Sequence, residues 1–98
     1  MREELKKFIL EKVKANTNPN KPYFVIRWTG LAELCQAYGY NVVELIDELV
    51  KDKKLKKALL QGKKTKMLAV YLPEYSVYVS KKTQNIMSEF EKFLKNRS

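Results

Sequence analysis

The chain has 98 residues, the size of one domain with a modest core, and twenty Lys and Arg against eleven Asp and Glu leave it at +9. That excess points to a polyanionic partner, nucleic acid first and an acidic membrane surface second. With no histidine and one cysteine, Cys35, the composition removes Ser-His-Asp and Cys-His catalysis, histidine metal sites and internal disulfides, and no metal or cofactor is expected.

Residues 2–15 place Leu5, Phe8, Ile9 and Val13 on one face of a helix, widened by Leu10, with Lys6, Lys7, Glu11 and Lys14 on the wet side. The segment is too acidic and too interrupted for a signal peptide. Breakers from Asn16 to Pro22 predict a loop, and the aromatic and β-branched run 23–28 predicts a short strand. Thr29 is the expected N-cap of a second helix of about ten residues, whose apolar positions are Leu31, Leu34, Cys35 and Tyr38. Gly39 ends it in a tight turn. Asn41 then opens a third helix with Glu44 three positions on, a reciprocal capping box, and Val42, Leu45, Ile46, Leu49 and Val50 form its buried stripe.

Residues 55–60 and 67–72 read as two strands around a basic loop, with Gly62 where a hairpin needs positive φ. A four-residue loop sets Leu59 opposite Leu68 and Leu55 opposite Leu72, but also Lys57 opposite Val70. Pro73 closes the second strand, and residues 75–79 alternate as a further extended piece. Ser80 caps a last helix reaching about Asn96, lined by Ile86, Met87, Phe90, Phe93 and Leu94. The longest apolar run, Met67 to Leu72, is far short of the ~20 residues a membrane span needs. No membrane association is expected, and the lone cysteine suits a reducing, cytoplasmic setting.

The order of helix, short strand, helix, tight turn, helix and hairpin resembles the winged-helix superfamily. Residues 31–55, LAELCQAYGYNVVELIDELVKDKKL, look like its helix-turn-helix segment, with Gly39-Tyr40-Asn41 as the turn, Asn41 to Lys51 as the recognition helix and 62–66 as the wing. The resemblance implies an α+β fold: three helices plus a small antiparallel β-hairpin, with an extra C-terminal helix. It divides the chain into a winged-helix domain over 1–80 and a dimerisation helix over 81–98. The implied function is binding of double-stranded DNA, as in a transcriptional regulator.

Seven lysines fall in fourteen positions: Lys53, Lys54, Lys56, Lys57, Lys63, Lys64 and Lys66. Each lysine that neutralises a phosphate releases counterions and adds affinity without sequence information. The bland alternative is a solvated hairpin whose lysines protect a strand edge. Lys63, Lys64 and Lys66 are expected to grip the backbone. Arg27 and Thr29, at the start of the second helix, would anchor a phosphate. Lys51, Lys53 and Lys54 would approach the groove rim. Tyr38 and Tyr40 flank the turn, where they would face a ligand or, for Tyr40, fill the apolar turn position.

The third helix carries Glu44, Asp47 and Glu48, with Asp52 beside them, against Lys51 alone. Acids there repel phosphates, so base contact is expected from Tyr40 to Val43 or from DNA shape. The acidic face leaves open a protein-interaction module that meets a basic partner. The aromatics leave open a single-strand or RNA-binding module. Acids at i, i+4 on a wet face, with no second acidic cluster and no glycine-rich phosphate loop, do not make an enzyme, and no catalytic residue is expected. Ile86, Phe90, Phe93 and Leu94 form a stripe suited to a homodimer interface.

Overall fold

Helix α1 (Arg2–Asn16) forms because Leu5, Ile9 and Val13 recur at helical spacing, and all three are buried. Thr17 stops it: its backbone turns extended and its hydroxyl donates to the Val13 carbonyl at 2.7 Å. Asn18 then closes the following loop by accepting from the backbone N–H groups of Asn20 and Lys21, both at 2.9 Å. A computed structural model describes residues 1–27, 29–61, 63–79 and 92–96.

Strand β1 is confined to Phe24–Val25, shorter than the run 23–28. Ile26 still donates to Leu68 at 3.1 Å, but the Thr29 N–H and hydroxyl both turn back onto the Ile26 carbonyl, which bends the chain out of the ladder. Helix α2 (Leu31–Ala37) is likewise shorter than expected. Its N-cap is Gly30, at φ 80°, in place of Thr29. Thr29 contributes from one position earlier, its hydroxyl accepting from Leu31 N at 3.3 Å.

Gly39, at φ 81°, makes the tight turn into helix α3 (Val42–Lys51). Asn41 caps α3 by accepting from Val43 N at 2.8 Å. The return bond from Glu44 that a reciprocal box requires is not made among the described residues. Val42, Leu45, Ile46 and Leu49 are buried as the stripe predicts.

The hairpin has the register expected from a four-residue loop. Strand β2 (Lys56–Gln61) pairs antiparallel with β3 (Lys66–Tyr71), with Leu59 opposite Leu68 and Lys57 opposite Val70. Strand β3 also pairs with β1, Phe24 opposite Val70, so the sheet order is β1-β3-β2. Among the described residues the fold is therefore α+β, combining α1, α2 and α3 with a three-stranded antiparallel sheet, and Ile26, Leu55, Val70 and Leu72 join the helical residues in a single core cluster. Residues 75–79 are not extended: a 3-10 turn covers Pro73–Tyr75, and 76–79 are helical. Proline at the first position starts that turn, and Ser76 donates to the Pro73 carbonyl at 2.6 Å. The roles expected of Gly62, Ser80, Ile86, Met87 and Phe90 lie outside the described residues.

Two positions of α1 depart from the expected stripe. Phe8 is 42% exposed, with the Lys12 ammonium 5.9 Å from its ring centroid, whereas Lys6, placed on the wet side, is only 8% exposed. Lys6 is drawn in by the acids of α3 and its C-terminal end.

Candidate nucleic-acid interface

The acids of α3 face two flanks, and on both they meet cations. Toward α1, Arg2 Nε donates to Glu48 Oε2 at 2.9 Å, and Lys6 Nζ lies 3.4 Å from Asp52 and 4.0 Å from Glu48. Burial works against the Lys6 ammonium, but the Asp52 hydrogen bond and the charges of Glu3, Asp52 and Glu48 outweigh it and hold its pKa above the ordinary lysine value. Toward the hairpin, Lys57 donates to Asp47. Lys57 shares the core-facing side of the sheet with Val70, its cross-strand partner, and its long stem carries the charge out to α3. Among the described residues Glu44 is the one acid of α3 outside an ion pair.

The hairpin end has a different character. No acid occurs between Asp52 and Glu74, nor between Glu11 and Glu33. The β1–β3 pairing brings these two acid-free segments into one sheet. At its far end Lys63, Lys64 and Lys66 are exposed and form no ion pair among the described residues. Arg27 joins them from the β1 side, its Nη1 donating to Thr65 Oγ1 at 3.4 Å. Sequence reasoning grouped the three lysines as a wing and set Arg27 apart at the start of the second helix; the sheet order brings Arg27 to them.

The seven-lysine run does not form one cluster. Lys56 pairs with Tyr71 at one end of the hairpin and Gln61 with Lys66 at the other. Five register steps of about 3.4 Å put Lys53 and Lys54 roughly 17 Å from the Lys63–Lys66 end. Lys53 sits at φ 62°, directly after a helix end in which Lys54 N returns to the Leu49 carbonyl at 2.9 Å. Lys51 ends α3 on its exposed side.

Tyr38 is 53% exposed, although its spacing placed it on the buried phase of α2. Tyr40 packs half-buried against the core, with the Arg2 guanidinium 6.0 Å from its ring centroid. Val43 is exposed beside Glu44. The Thr29 hydroxyl works inside the fold, donating to Ile26 and accepting from Leu31. Cys35 is fully buried, and burial pushes its thiol pKa up, so it stays protonated and unreactive at neutral pH.

Among the described residues no three potential metal ligands come together, and no helix is long and apolar enough to cross a membrane. Set against family models, curated proteins and solved structures, the chain finds no match.

Proposed function

We propose that the chain is a winged-helix protein that binds double-stranded DNA and acts in transcription regulation, with α3 as the groove-facing helix and the β2–β3 hairpin as the wing. The observation that carries this reading is the acid-free sheet, which gathers Arg27, Lys63, Lys64 and Lys66 at one end. The exposed ammonium groups of Lys63, Lys64 and Lys66, which form no ion pair among the described residues, can replace the counterions of a phosphate backbone. The paired state of Asp47, Glu48 and Asp52 supports the same reading, because it lowers the repulsion that an acidic α3 would exert on a duplex. It weighs equally against a module that uses those acids to hold a basic protein.

In this mechanism the wing cations fix the protein on the backbone and Lys51 lies at the groove rim. Val43 and Glu44 are the exposed side chains at the start of α3, and Tyr40 supports them from the turn. A valine suits the thymine methyl group, and a glutamate accepts from cytosine N4. The exposed Phe93 and Leu94 support a homodimer, which doubles the wings and lets two half-sites be held at once. Removal of residues 81–98 is then expected to give a monomer by sedimentation; unchanged assembly would overturn the dimer.

The deciding experiment is fluorescence anisotropy of a random 30-base-pair duplex across a salt series. A linear fall of log affinity with log salt, with a slope of about −3 to −4 for four engaged cations, is the expected result. No binding at low salt would overturn the reading. A preference for unpaired over duplex DNA would transfer it to single-strand recognition.

A further inference from the structure

We infer that the groove between α1 and the C-terminal end of α3 is a second phosphate-binding surface, which takes the backbone of a second duplex while the wing holds the first. The inference rests on the duplex-binding reading above. The groove measures about 400 Å³, and its cations are Lys6, Lys7, Lys14 and Lys54. Lys6 is committed to Asp52 and Glu48, and Glu3 faces Lys6 at 3.6 Å. The one charge of Lys6 is thus shared among three acids, which leaves Lys7, Lys14 and Lys54 in excess over Glu11 and an incompletely balanced Glu3, and none of the three lysines forms an ion pair among the described residues. Lys53 adjoins them, held at φ 62° in a conformation that favours glycine, so a cation stands where the backbone alone would select a residue without a side chain.

Distance alone does not separate this surface from the wing, since one duplex easily spans 17 Å. Direction does. Lys12 and Asn16 line a small pocket with Phe24, Thr29 and Leu31, on the flank of α1 that faces β1 and the start of α2. At about 100° per residue, Lys7 lies roughly 140° around the helix from Lys12, and Lys14 roughly 160° from Asn16. The groove therefore opens on the side of α1 turned away from β1, the strand that leads to Arg27. Lys7 and Lys14 stand two turns apart, about 10.5 Å along the axis, with Leu10 between them on the same flank. Such a row of point charges suits a phosphate backbone and carries no base readout.

The test is a bridging assay. One 30-base-pair duplex is tethered to beads, and capture of a second, fluorescent duplex is measured with the full chain. The natural protein is expected to capture it, with capture falling steeply as salt rises. Lys7→Gln with Lys14→Gln is expected to lower capture at least tenfold while single-duplex affinity by anisotropy stays within about threefold. Glu11→Gln is expected to raise capture. If the natural protein binds one duplex and never captures a second, the inference is overturned and the function stands. If the Lys7/Lys14 variant captures as well as the natural protein, bridging comes from two wings of a dimer and the inference again falls. If no duplex binds at all, both readings fall together.

Discussion

The seam between α1 and α3 and the tip of the β2–β3 hairpin are both rich in lysine and arginine, and they use them differently. At the seam Arg2 and Lys6 face Glu48 and Asp52, and a little further along Asp47 takes Lys57. At the tip Lys63, Lys64 and Lys66 are exposed and form no ion pair among the described residues, in a hairpin without any acid. Charge that is balanced within the fold orients helices; charge that is left over is what a partner feels. A net charge of +9 thus says less about binding than does the place where the unbalanced part collects.

The sharpest way to break this contrast is to reverse the tip. Lys63→Glu with Lys64→Glu should lower duplex affinity by roughly a hundredfold or more at about 0.1 M salt, because both lost contacts and new repulsion act on phosphates. Unfolding free energy by urea titration should change by no more than about 0.5 kcal/mol, as for other surface substitutions. Next in size is Asn41→Ala. It removes the bond to Val43 N and should cost about 1 kcal/mol in the same titration, with looser presentation of the first turn of α3.

At the seam, the raised pKa of Lys6 sets a sign. A cation held above its unfolded value stabilises the fold fully below about pH 10.5 and ceases to do so as pH rises through the higher folded value. The natural chain should therefore lose melting temperature from neutral to strongly alkaline pH more steeply than Lys6→Met, measured side by side. Equal slopes would mean that the Lys6 network does not stabilise the fold.

The smallest expected effect is Asp47→Asn. It releases Lys57, so duplex affinity should rise a few-fold, while stability shifts by less than about 1 kcal/mol because the pair is half-exposed. A fall in affinity would show that the pair positions the wing.

Periodicity and turn chemistry carried much of the architecture. The α3 stripe, the Asn41 cap, the Gly39 turn and the hairpin register were all legible, since each depends on residues close in sequence. Lys57 opposite Val70 looked like a flaw in that register, and its resolution was invisible because Asp47 reaches it only after α3 and β2 have packed. Lys6 was misplaced for the same reason: two of its three acid partners, Glu48 and Asp52, stand more than forty positions away. The extended reading of 75–79 failed because alternating residues outweighed Pro73, a strong helix-starting signal. For the candidate interface, the split of the lysines into a wing group and a group at the end of the third helix was legible from the turn signals, and strand pairing sets the two about 17 Å apart. Arg27 at the tip needed β1 beside β3.

That central position of β3 has a consequence for how the chain acquires its structure. Phe24 finds its partner only at Val70, and Arg2 and Lys6 find theirs at Glu48 and Asp52. The first helix and first strand must therefore wait, unpaired, until more than forty further residues have left the ribosome, and closing those loops is the slow, entropically costly part of the search. A nascent chain stopped near Gln61 would present the edge of β1 without its ladder, so the hairpin completes the N-terminal third as well as forming the wing.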